Sequence, residues 1–274
     1  MSDHENLLLK LRQEASGYSP TQRKLGEFVL NDPARVLYLT ITELARESHT
    51  SEASVTRLCR MLGCKGYTEF KMALALDIQQ GQPERQAGDE IDSVVEESVQ
   101  ALQDTARLLD RALLEKAAQA LHQAQSVQIY GVAASAILGE YLHYKLLRLG
   151  KPVQLFSDMH RAAMNATTLS KASLVVAISS SGSTRDLLHV VKLARKRGVP
   201  VLALSNTPRS PLASLSDMLL VAAKPEGPLS AGALNAKVGV MLLVELLTHS
   251  LIAIDGHYGE VSQQTASATL PLLL

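Results

Sequence analysis

From residue 126 to residue 222, short apolar runs alternate with longer stretches of helical periodicity, and this alternation constrains the fold more than any other feature. Residues 127–130, 152–156, 174–179, 199–205 and 218–222 read as strands. Helical patterns fall between them, two ending at Gly150 and Gly198, and a long helical stretch closes the chain. Strand–helix units of this length build a parallel sheet with right-handed crossovers and helices on both faces. The expected class is α/β, with a doubly wound five-stranded parallel sheet ordered 2-1-3-4-5. Composition agrees: 46 % hydrophobic and 4 % aromatic residues, with no Trp, favour helices and α/β layers over an all-β sandwich.

In that order the topological switch lies between the first and third strands, where open α/β sheets take their ligands. The loops that reach it are GVAAS at 131–135 and SSSGST at 179–184. The second surrounds Gly182 with Ser179, Ser180, Ser181, Ser183 and Thr184, more hydroxyls than a turn needs. A helix N-terminus offers unpaired N–H groups and partial positive charge, which suits a phosphate. Ser and Thr also cap helices and make turns. One cap would use only one of the five.

The length of 274 residues allows a second domain. Residues 1–80 read as short helices, and the polar GQPERQAGDE at 81–90 as a linker. Ser19-Pro20-Thr21-Gln22 and Thr40-Ile41-Thr42-Glu43 have capping-box spacing. Ser51 is the expected cap of a third helix, which stops at Gly63. There Val55, Leu58, Cys59 and Leu62 should face a core, leaving Glu52, Ala53, Thr56, Arg57 and Arg60 outside. Arg57, Arg60, Lys65 and Lys71 face only Glu69 between 55 and 75, although basic and acidic residues balance at ten each over 1–80. Two helices around a short turn, the second showing small polar side chains and arginines, fit a helix-turn-helix. A small bundle with a solvated face has the same periodicity. Next, Val95, Leu102 and Leu109, with Val99, Ala106 and Leu113, have heptad spacing, for an interdomain or dimer helix or one lying on its own domain.

The formal net charge is zero, so nucleic-acid binding would rest on that local patch. The N-terminus lacks the apolar core of a signal peptide. Glu245 and His249 interrupt the longest apolar run, which reads as a buried helix, and a cytoplasmic protein is expected. Two cysteines do not make a disulfide framework. Cys59 and Cys64 have no companion ligands at suitable spacing, so neither a metal nor a cofactor is expected.

Residues 39–74, LTITELARESHTSEASVTRLCRMLGCKGYTEFKMAL, resemble the helix-turn-helix domain of RpiR-type bacterial regulators. The loop 179–184 resembles the S-x-S-G-x-T phosphosugar loop of sugar isomerase (SIS) domains. The resemblance covers nearly the whole chain and implies an all-α helix-turn-helix domain at 1–80, connecting or dimerisation helices at 81–125 and an SIS domain at 126–274. It implies a transcription factor that senses a phosphorylated sugar, with operator duplex DNA as partner and a homodimer or homotetramer as assembly. Carried over by residue, Ser179, Ser181, Gly182, Ser183 and Thr184 would meet the phosphate, with Gly131 and Ser135 from the first loop. Ala133 stands where the family commonly has glycine. Ser51, Glu52, Ser54, Thr56, Arg57 and Arg60 would meet DNA, with Lys65 nearby.

SIS domains also serve as aldose–ketose isomerases, which need a positioned base. Glu140, His143, His160, His189 and Glu226 are the candidates, each with a plainer reading as a solvated or sugar-contacting group. A third reading is a sugar-responsive scaffold without DNA binding, which would not require the Arg57/Arg60 face.

Overall fold

Capping chemistry sets where the N-terminal helices begin. The computed structural model describes residues 7–13, 17–80, 90–223, 227 and 233–272. These group into two compact units, the first holding residues up to Ile91 together with Gly227, the second holding the rest. The first is all helix: α1 (Leu7–Gln13), α2 (Pro20–Asn31), α3 (Pro33–Val36), α4 (Ile41–Glu47), α5 (Glu52–Met61) and α6 (Tyr67–Gln80). Ser19 with Gln22 and Thr40 with Glu43 form reciprocal capping boxes at α2 and α4, and Ser51 caps α5. Leu25, Val29, Leu44, Val55, Leu58, Cys59, Leu62, Phe70 and Leu74 form one core.

The turn between α4 and α5 ends α4 with two backbone bonds, His49 N–H to Arg46 C=O (3.1 Å) and Thr50 N–H to Ala45 C=O (2.7 Å). This helix stop needs its central residue in left-handed backbone, normally glycine. His49 takes that place, with φ of 52°. Gly63 ends α5 by the same pattern.

The boundary falls in α7 (Glu90–Leu108), which the second unit holds from Asp92 onward, and α8 (Arg111–Gln123) follows. Alternation follows: β1 (Ser126–Gly131), α9 (Ala134–Arg148), β2 (Val153–Phe156), α10 (Met159–Thr168), β3 (Ser173–Ile178), α11 (Arg185–Lys196), β4 (Val201–Ser205), α12 (Pro211–Leu215) and β5 (Met218–Val221). Helices α13 (Leu234–Ile254) and α14 (His257–Thr269) complete it, with a 3-10 turn at Leu270–Leu272. The five strands are parallel, in the expected order β2-β1-β3-β4-β5. One face of the sheet, with Val127, Ile129, Val176 and Leu204, packs against α8, α9 and α13; the other, with Tyr130, Val175, Ala177 and Val201, packs against α10 and α11. Burial on both faces explains why the strands read as continuous apolar runs.

Three expectations change. The heptad stretch is two helices, because Asp110 caps α8 by accepting from the Ala112 and Leu113 N–H groups. Leu109 and Leu113 then pack on the core, while Val95, Val99 and Leu102 of α7 stay exposed. The closing helix is also two, because Asp255 ends α13 and its carboxylate accepts the His257 N–H at 2.9 Å. Lys71 does not belong to a basic face. Its ammonium donates to the Leu37 and Leu39 carbonyls (3.1 and 3.4 Å), and burial pulls its pKa down.

By length and apolarity α13 could cross a membrane. Its Val240, Leu243, Val244, Leu247 and Leu251 are instead buried in the core. Residues 81–89 of the expected linker and Glu226 lie outside the described residues.

Candidate functional site

Parallel pairing aligns Gly131 of β1 with Ile178 of β3, so the loops 131–135 and 179–184 leave adjacent strand ends at the topological switch. Both open a helix, and neither helix is capped by a side chain: Ala133 precedes α9 and Thr184 precedes α11. By contrast Asp158 caps α10 and Ser210 caps α12. The first-turn N–H groups at the crevice therefore have no side-chain acceptor, the condition under which a helix start receives an anion. Helix α13 also starts without a side-chain cap, at Ala233.

The five hydroxyls of the second loop divide their work. Ser179 is buried; its oxygen accepts the Gly182 N–H at 3.1 Å and lies 3.5 Å from the Thr184 hydroxyl. Ser180 points inward and donates to the Asn206 side-chain oxygen at 2.9 Å. Ser181 and Ser183 are exposed at the rim, tied to each other by Ser183 N–H to Ser181 Oγ (3.3 Å) and Ser183 Oγ to Ser181 C=O (3.2 Å). Gly182 has φ of 59° and its Cα lies against Ser210. Its N–H and C=O are held by Ser179 and the Leu212 N–H, so the loop is anchored at its centre.

In the first loop Gly131 is buried, and a Cβ there would lie 2.9 Å from the Ser135 carbonyl oxygen. That closeness lets α9 begin at once. Ala133 adopts φ of 51° and ψ of −127°, a conformation that suits glycine. Ser135 is half-buried in the first turn of α9. The structure thus brings Gly131, Ser135, Ser179, Ser181, Gly182, Ser183 and Thr184 to one end of the sheet.

Sequence reasoning missed a third polar segment, Ser205-Asn206-Thr207, where β4 ends. The Ser180 carbonyl accepts from the Asn206 N–H (3.2 Å), the Ser205 hydroxyl (3.2 Å) and the Thr207 hydroxyl (3.1 Å). Its signal was present: Ser205-Asn206-Thr207 is again a run of small polar residues where an apolar strand ends.

On the helical unit, Ser51, Glu52, Ala53, Arg57 and Arg60 are exposed along α5, with Ser54 and Thr56 half-buried. The Ser51 oxygen accepts the Ser54 N–H at 3.2 Å, and the two hydroxyls meet at 2.9 Å. Glu52 accepts from the Thr42 hydroxyl at 2.6 Å, locking α5 to α4, and Thr56 donates to the Glu52 carbonyl at 3.0 Å. Arg57 and Arg60 take part in none of the ion pairs among the described residues. Lys65 is exposed beyond Gly63, with its backbone N–H on the Glu69 carboxylate.

Residues 5–81 match the helix-turn-helix domain of the rpiR family, and residues 120–250 match the SIS domain. The NanR protein of Vibrio vulnificus, solved in complex with ManNAc-6P, is 45 % identical, with a TM-score of 0.91 covering 98 % of this chain and 99 % of that one. The chain belongs to the RpiR family. It is a transcriptional regulator that pairs a helix-turn-helix unit with an SIS unit. An HTH-type transcriptional regulator of Caldanaerobacter subterraneus subsp. tengcongensis is 29 % identical over 250 residues, 88 % of this chain and 89 % of that one. The sugar isomerase domain of an RpiR transcription factor from Sphaerobacter thermophilus is 23 % identical, with a TM-score of 0.60 over 66 % of this chain and 99 % of that one, a likeness of fold alone.

Among the candidate bases, Glu140, His160 and His189 are exposed helix residues and His143 is half-buried. None has a side-chain hydrogen bond of the kind that orients a catalytic base, among the described residues.

Proposed function

We propose that this RpiR-family regulator is switched by an N-acetylhexosamine 6-phosphate of the ManNAc-6P type, bound between the loops 131–135 and 179–184. The observation that carries this reading is the pairing of Gly131 with Ile178, which sets two helix starts without side-chain caps beside each other. In this reading the Ser181, Ser183 and Thr184 hydroxyls and the first N–H groups of α11 hold the phosphate, Ser179 and Gly182 shape the turn, and Ser135 reaches the ligand from α9. Gly131 acts through the close start of α9. The 45 % identity to a regulator solved with ManNAc-6P supports the choice of sugar class.

Helix α5 would enter the major groove, with Ser51, Ser54 and Thr56 near base edges or phosphates and Arg57, Arg60 and Lys65 on phosphates or guanine. Glu52 positions that helix through Thr42. The functional division is residues 1–80 for DNA, 81–125 for connection and 126–274 for the sugar. The exposed stripe Val95, Val99 and Leu102 of α7 supports self-association, a dimer at least, in the cytoplasm. The attached DNA-binding unit and relatives named as regulators favour a sensor over an isomerase.

Calorimetry with hexose, pentose and amino-sugar phosphates tests the proposal. N-acetylmannosamine 6-phosphate should give the tightest binding and Ser181→Ala should weaken it about tenfold. Equal binding by Ser181→Ala would place the ligand elsewhere.

A further inference from the structure

Behind the serine loop, buried hydrogen bonds run without a gap to α7, the helix by which the chain enters the second unit. Ser180 donates to the Asn206 side-chain oxygen at 2.9 Å. The Asn206 amide donates to the Ala223 carbonyl (2.9 Å), just past β5, and to the Ala236 carbonyl (3.1 Å) in α13. The Ala223 N–H then donates to the Thr105 hydroxyl at 3.0 Å, and that hydroxyl donates to the Ala101 carbonyl at 2.7 Å. Thr105 and Ala101 are both 0 % exposed. A second tie runs from the Asn235 amide to the Glu97 carboxylate at 2.6 Å.

Buried groups of this kind cannot exchange a lost partner for water, so displacement of one is opposed by the next. Ser180 is the residue of the loop with no freedom: its carbonyl takes three donors and its hydroxyl is committed. Of its two neighbours, Ser179 shapes the turn through the Gly182 N–H and Ser181 is a proposed ligand contact. A shift of the loop on binding must therefore move Asn206. Asn206 in turn holds the carbonyl of Ala223, the residue whose N–H grips Thr105. The packing leaves little slack at the far end, since a Cβ on Gly239 of α13 would stand 2.6 Å from the Thr105 oxygen. A threonine is the apt residue there, because one hydroxyl both donates within α7 and accepts from Ala223.

We infer that the line Ser180–Asn206–Ala223–Thr105 transmits occupancy of the serine loop to α7, with Asn206 and Thr105 as positioning residues. This rests on the sugar-phosphate reading of that loop. The line spans only the second unit, and α7 leads by covalent connection toward the helix-turn-helix.

The test uses the full-length protein, N-acetylmannosamine 6-phosphate and amide hydrogen exchange alongside calorimetry. Ligand should slow exchange in peptides covering 99–108 and 218–223 by about fivefold or more, the low end of ordinary coupling between sites. Thr105→Val should bind the sugar phosphate within about threefold of the parent while losing the response at 99–108, and Thr105→Ser should restore it. Binding in the parent without any response in α7 overturns the inference and leaves the ligand reading intact. A full response in Thr105→Val overturns it as well. Absence of binding by every sugar phosphate in the panel removes the ligand reading, and this inference falls with it. The parent measurement decides the matter even where Thr105→Val does not fold.

Discussion

Ser210 stands directly against Gly182: a methyl on Gly182 would overlap the Ser210 hydroxyl, far inside van der Waals contact. Ser210 cannot retreat freely, because its oxygen accepts the Ala213 N–H at 3.3 Å as the cap of α12. Gly182 also has φ of 59°, which alanine adopts only under strain. Gly182→Ala should therefore cost about 1–3 kcal/mol of stability and weaken sugar-phosphate binding at least about tenfold. Thermal melts and calorimetry measure the two effects separately.

Ala133 presents the opposite case. It holds a backbone conformation suited to glycine at the start of α9, and it is exposed, so its methyl contributes no core packing. Ala133→Gly should raise stability by about 1 kcal/mol, the relieved strain exceeding the entropy a glycine adds to the unfolded chain. A lowered melting temperature would show that the methyl is stabilising.

Arg57 and Arg60 should carry the salt dependence of DNA binding, whereas Lys71 should not. Replacing both arginines with alanine should lower the slope of log affinity against log salt by about two, measured on a duplex selected from a random library. Lys71→Ala should leave that slope unchanged. It should lower the stability of the helical unit by about 1–3 kcal/mol, because the Leu37 and Leu39 carbonyls lose their donor.

Glu245 predicts behaviour in acid. The Tyr141 hydroxyl, then Lys145, hold its carboxyl below the ordinary glutamate value of 4.5, and the bond to Glu245 pushes Tyr141 up to about 12. A depressed carboxyl pKa gives stability that is present above the unfolded value and lost as pH falls through the folded one. The parent should therefore lose melting temperature more steeply than Glu245→Gln between about pH 5 and pH 3. Parallel curves would show that the Lys145–Glu245 contact, 2.9 Å long, adds nothing in solution.

What could be read in advance was what local spacing encodes. The capping boxes at Ser19 and Thr40, the stops at Gly63, Gly150 and Gly198, and the strand order all follow from short-range pattern and crossover rules. The serine cluster was legible because its composition exceeds the needs of a turn. Thr105 was not, since its partner Ala223 is 118 positions away and nothing in TAR or VAA announces the other. Lys71 looked like one more surface charge because only tertiary packing of α6 shows that its ammonium closes α3. The heptads around Leu109 misled for a simpler reason: a sevenfold repeat can run through a helix break, and Asp110 was the cap that marked it.

The placement of α13 has a consequence for synthesis. Helices α8 and α9 cover part of one sheet face early, but the part that Val240, Leu243, Val244 and Leu247 cover stays open until the chain has been made through Leu251. On a ribosome adding about 5–20 residues per second, the nascent strands then wait for several seconds with that part exposed. Chains released before residue 251 should be taken by chaperones or proteases, although helices α1 to α6 of the helical unit are all made by residue 80.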